Sequence, residues 1–69
     1  MSQNEFLSTM RSALSGKVPA NIIEENIRYY EDYIGTQMRQ GKTEAEVLDA
    51  LGDPRLLART IIEANKHAE

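Results

Sequence analysis

Carboxylates are the side chains this chain has in sufficient number to do chemistry. Glu24, Glu25, Glu31, Asp32, Glu44, Glu46, Asp49 and Asp53 crowd its middle and third quarter. Acid–base catalysis by a carboxyl group requires a raised pKa inside a pocket. The spacing here points elsewhere. Glu24 and Arg28 lie four residues apart, as do Arg28 and Asp32, which is the spacing of ion pairs along a solvated helix face. Asp53 stands directly before Pro54, the arrangement of a helix cap. A chain of 69 residues also leaves little room for the kind of pocket small-molecule chemistry uses. No catalytic residue is assigned.

Metal and nucleophile chemistry have still less to work with. There is one His and no Cys, so disulfides and thiolate sites are excluded. His67 has no partner at ligand spacing and reads as a solvated tail residue. Gly16, Gly35, Gly41 and Gly52 are isolated from one another, so no phosphate-cradling loop is present. The expectation is a protein without cofactor, metal or small-molecule substrate.

Nucleic acid is the remaining chemical possibility. Arg55, Arg59 and Lys66 on a C-terminal helix could reach phosphates, and Thr60 a base edge, behind a tight turn that has the outline of a helix-turn-helix. Against this, Glu63 shares that face and Asp53 sits at the end where base contacts cluster. The net charge is −3, and no two basic residues are adjacent. A small DNA-binding or DNA-accessory protein is therefore the alternative rather than the favoured function.

The elements that position these residues are all helical. The fold expected is all-α: a small compact bundle of about four helices, at about 3–15, 20–40, 44–51 and 54–65, forming one domain. Ser2 with Glu5, and Thr43 with Glu46, have the spacing of capping boxes opening the first and third helices. Pro19 fits the first turn of the second helix, with Asn21 and Glu24 as another possible start. The corner Gly52-Asp53-Pro54 is the sharpest structural signal. Gly52 suits a left-handed position past a helix end, Asp53 an N-cap and Pro54 the first turn beyond it. At this size an apolar core is marginal, so idealised packing or a partner must help.

The second helix carries more apolar surface than one neighbour needs. Ile23, Ile27, Tyr30, Ile34 and Met38 form one stripe; Ile22, Tyr29 and Tyr33, with Asn26 between the stripes, form a second. Together they cover about half the circumference, against the ~100° that suffices for one core. Either the second stripe touches another side of the same core, or part of it is a partner surface. The candidate partner-binding residues are Ile22, Tyr29, Tyr33 and Leu56. Gly35 falls on the polar side, where it weakens the helix by about 1 kcal/mol relative to Ala.

Taken together, Glu5-Phe6-Leu7, the Leu14-to-Pro19 break, Tyr30-Glu31-Asp32-Tyr33 and the stretch Gly41-Lys42-Thr43-Glu44-Ala45-Glu46-Val47-Leu48 leading to Leu51-Gly52-Asp53-Pro54 and Leu57-Ala58 resemble the HAAS-type N-terminal domain of bacterial membrane proteins. That resemblance implies a cytosolic all-helical module, normally followed by transmembrane helices, in proteins often encoded beside PadR-like transcription regulators. It implies a signalling or regulatory interaction, with a PadR-like regulator or another copy as partner, and no enzymatic activity. No apolar run here reaches the ~20 residues of a membrane span. The expectation is thus an excised domain or a stand-alone version, placed in the cytoplasm or at the cytoplasmic face of the inner membrane.

Overall fold

The computed structural model describes residues 1–66, so His67 lies outside the described residues. It contains four helices: α1 (Gln3–Leu14), α2 (Ala20–Arg39), α3 (Glu44–Leu51) and α4 (Pro54–Lys66). Both capping boxes form. The Glu5 N–H donates to Ser2 Oγ (3.1 Å) while the Ser2 N–H donates to Glu5 Oε1 (3.2 Å). Thr43 and Glu46 repeat the exchange at 3.2 and 2.8 Å. Local side-chain chemistry thus starts α1 and α3.

α2 starts differently from the expectation. Pro19 occupies the cap position itself, extended at φ −60° and ψ 152°, and no side chain caps the helix. Its carbonyl accepts from the Ile22 and Ile23 N–H groups at 3.0 and 3.2 Å. Asn21 lies inside the first turn, and Glu24 is engaged elsewhere. A proline cannot supply a side-chain oxygen, so α2 is held at this end by packing of the buried Val18 and Ile23.

The corner between α3 and α4 forms with one correction. Gly52 has positive φ, as expected, but its ψ of −153° makes it mirror-extended rather than left-handed helical. The extended ψ turns the chain away from α3 in a single residue. Asp53 then caps α4: its Oδ1 accepts from the Arg55 N–H at 2.8 Å, and its carbonyl accepts from the Leu56 and Leu57 N–H groups. Pro54 is buried in the first turn, where its missing N–H costs nothing.

α1 is the organising element. Phe6, Met10 and Leu14, spaced four apart on one face, are fully buried, as are Ile34 of α2 and Ala58 of α4. The most extensive helix contact is α1 on α4, followed by α1 on α2 and α2 on α3. α4 has no extensive contact with α2, so it does not cover the second apolar stripe that the helical wheel left unassigned. α2, at 20 residues and ~1.5 Å rise per residue, runs along much of a molecule 39 × 18 × 16 Å in extent. Met38, at the far end of the main stripe, is 39% exposed. Among the described residues no polar or charged side chain is buried, so the core is specified by shape alone.

Gly35 is explained by nothing in this packing. A methyl added there would meet only the flexible tip of Arg39, at 3.4 Å. Gly35→Ala is therefore expected to stabilise the domain by about 0.4–1 kcal/mol, raising its thermal midpoint by several degrees. A midpoint unchanged or lowered in a calorimetric scan would show that the glycine has a role the packing does not reveal.

Candidate functional site: the aromatic face of the second helix

The candidate surface is built on the middle of α2. Tyr29, Tyr30 and Tyr33 follow helical spacing, so their rings lie close together on adjoining strips of the helix. Tyr29 meets Tyr30 edge-on, with ring centroids 5.0 Å apart and planes at 90°. It stacks on Tyr33 at 6.5 Å with planes 19° apart. Tyr30 and Tyr33 are half-buried and pack against the core, whereas Tyr29 is 61% exposed. Burial raises the Tyr30 phenol pKa, with a smaller contribution from Tyr29. Two anchored rings thus brace a third that solvent covers.

The four residues singled out as a partner surface do not behave alike. Ile22 packs against the core and is half-buried, and the Asn26 side chain donates to its carbonyl at 2.9 Å. Tyr33 shares that intermediate position. Tyr29 and Leu56, at 61% and 60%, are the exposed pair, but they stand on α2 and α4, which share no extensive contact. The single surface expected from sequence separates into an aromatic face on α2 and an isolated leucine on α4. The separation follows from the way α1 lies against both helices.

Beside Tyr29, the residues Asn21, Glu24, Glu25, Arg28 and Asp32 line a shallow depression on the outer side of α2. The ion pairing there differs from the four-residue spacing rule. Glu24 takes Arg11 of α1 in a two-pronged contact, the second prong being 3.2 Å, while Arg28 adds only a weaker electrostatic attraction without an ion pair. Among the described residues, Glu25, Arg28, Glu31 and Asp32 make no ion pair. No sequence rule within one helix could have found Arg11, because the partners are thirteen positions apart.

A second groove lies between α1 and the α3–α4 corner, floored by Phe6, Leu48 and Pro54 and rimmed by Thr9, Asp49, Asp53 and Arg55. Its rim carboxylates are exposed, and Asp53 Oδ1 is occupied by capping α4. Among the residues lining this groove, the titratable side chains Asp49, Asp53 and Arg55 are all exposed. Arg55 and Arg59 are both exposed on α4.

Three carboxylates do have altered proton affinity, all for structural reasons. Glu5 and Glu46 are lowered mainly by the backbone N–H groups of Ser2 and Thr43, and Glu24 mainly by its hydrogen bond from Arg11. A lowered folded-state pKa contributes stability that is present above the unfolded value and is lost as pH falls through the folded one. Thermal midpoints are therefore expected to hold at neutral pH and to decline below the ordinary carboxylate value of 4.5. Replacing Glu24 with Gln should flatten part of that decline; an identical acid profile would remove Arg11–Glu24 from the account.

No curated protein and no solved structure matches the chain. The family model named HAAS matches residues 5–60. That span runs from the capping glutamate of α1 to Thr60 on α4, and it includes the aromatic face, the capping box of α3 and the Gly-Asp-Pro corner. With most of its length inside the match, the chain belongs to the HAAS family.

Proposed function

We propose that this domain acts by docking: it is a non-enzymatic protein-interaction and regulatory module of a bacterial membrane-associated signalling protein. The observation that carries the proposal is Tyr29, 61% exposed in the middle of a 20-residue helix and braced by two anchored tyrosines. A ring fixed in this way loses little conformational freedom on binding, and tyrosine combines large apolar area with a polar tip suited to a wet rim. Such residues dominate the energetics of many protein interfaces. The binding side is centred on Tyr29, with Tyr33 and Ile22 supporting it from the core side.

The first partner to test is a PadR-like regulator encoded beside the parent gene, as the resemblance implies. The domain would then sit at the cytoplasmic face of the inner membrane, with a transmembrane region following it in the parent protein. No helix among the described residues is long and apolar enough to cross a membrane.

Titration calorimetry of the domain with that regulator, at two salt concentrations, tests the proposal. Binding should persist at high salt, because apolar contact is little screened, whereas binding to DNA through Arg55 and Arg59 would weaken steeply. Tyr29→Ala should weaken partner binding by at least ~1 kcal/mol, with little change in the melt because the ring is mostly in solvent already. A folded sample that gives no heat with the regulator at high concentration would overturn this partner assignment.

A further inference from the structure

Tyr29 and Leu56 are the most exposed large apolar side chains within the helices, and their charged surroundings have opposite sign. Glu25 and Asp32 stand one turn to either side of Tyr29, both exposed and neither in an ion pair among the described residues. Arg55 precedes Leu56 and Arg59 lies one turn beyond it, again exposed and without an ion pair among the described residues. Glu63, the one carboxylate on that face of α4, is held by Lys66 at 3.5 Å. On α2, Arg28 lines the same shallow depression as Glu25, Tyr29 and Asp32, one cation among the carboxylates there. The chain thus carries an aromatic face on which carboxylates outnumber the one guanidinium, and an aliphatic face with two guanidiniums beside it that make no ion pair among the described residues. Both helices pack on α1 with no extensive contact between them, so neither face can satisfy the other within one molecule.

We propose that the domain self-associates head to tail, the α4 face of one copy seating on the α2 face of the next. Leu56 then packs against the Tyr29 ring, while Arg55 and Arg59 reach Glu25 and Asp32. A guanidinium can pair with a carboxylate through two parallel hydrogen bonds and lie over a tyrosine face as well. The occupant is a second copy because this chain itself supplies the complement, in charge and in exposed apolar surface, to each of its two exposed faces. The contact uses different surfaces on the two partners, so it is heterologous and propagates into chains or closes into a ring. Each face spans about two helical turns, so the contact is smaller than the ~1,200 Å² of a stable complex. It is therefore weak in dilute solution and strengthened wherever copies are concentrated. The proposal rests on the docking role of Tyr29 and gives that role a defined occupant.

Sedimentation velocity from about 10 μM to about 1 mM reads this directly. The wild-type chain should show a sedimentation coefficient that rises with concentration and rises less at high salt. Asp32→Arg blocks the α2 face and Leu56→Ala the α4 face. Each variant alone should associate at least tenfold more weakly, with an unchanged melt. Mixed together, each still offers one intact face, so they should form a one-to-one pair and nothing larger. A wild-type chain that stays monomeric throughout overturns the proposal. So does association that Asp32→Arg abolishes and Leu56→Ala leaves intact, which would mean that α2 pairs with itself and the docking role of Tyr29 stands without α4. If Tyr29→Ala changes neither self-association nor regulator binding, the docking role fails as well.

Discussion

Phe6→Ala is expected to remove a large share of the domain's folding stability, about 3–5 kcal/mol. Phe6 is fully buried on α1, the helix that contacts each of the other three, and it also floors the groove beside the α3–α4 corner. Truncating a buried phenylalanine costs about 3–5 kcal/mol when the surroundings relax only partly. Marginal stability of roughly 0.05–0.15 kcal/mol per residue gives a chain of this size about 3–10 kcal/mol in total. The chain has no cysteine, and among the described residues there is no cluster of metal-ligating side chains and no buried polar side chain to absorb the loss. Far-ultraviolet circular dichroism and urea titration should show a largely lost or strongly shifted transition. Phe6→Leu, which keeps most of the volume, should remain folded. A Phe6→Ala chain melting within a few degrees of wild type would mean that α1 is not the centre of the fold.

The parts of the structure legible in the sequence are those fixed over three or four residues. Ser2 with Glu5 and Thr43 with Glu46 declare their helix starts because the donors they satisfy lie in the same turn. Asp53 and Pro54 are legible for the same reason. The helical wheel of α2 showed which strips are apolar, but a wheel does not say which neighbour covers a strip. That α4 lies against α1 and away from α2 is a tertiary outcome. It determines why Tyr33 and Ile22 are partly covered while Tyr29 and Leu56 are left open on separate faces. The Arg11–Glu24 contact was hidden for the same reason: the spacing rules that paired Glu24 with Arg28 see only one helix at a time. Glu25 and Asp32 read as solvated charges in sequence. Their place on either side of an exposed ring became visible only once Tyr29 was found uncovered.

Gly52 provides the sharpest test of how the chain turns from α3 to α4. Its φ of 82° and ψ of −153° lie in a region that essentially only glycine visits. A Cβ built there would meet nothing within 4 Å, so steric conflict with neighbours cannot be the reason for glycine. The constraint is the backbone itself. Gly52→Val should therefore destabilise by roughly 1–3 kcal/mol, toward the upper end because its side chain is β-branched. In a domain of this size that lowers the thermal midpoint by about 4–8 °C for each kcal/mol. Gly52→Ala should cost nearly as much, since any L-residue meets the same strain. Asp53→Ala should cost about 0.5–2 kcal/mol by removing the cap on α4, through a different mechanism. The decisive variant inverts the chirality. The mirror image of this conformation is the ordinary extended region, so D-alanine at position 52 fits it without strain. A 69-residue chain is within reach of chemical synthesis, and the D-alanine protein should melt at or above the wild-type midpoint, because the substitution also restricts the unfolded chain. If L-alanine and D-alanine lower the midpoint equally, backbone chirality is not what makes Gly52 necessary, and the account of the corner falls.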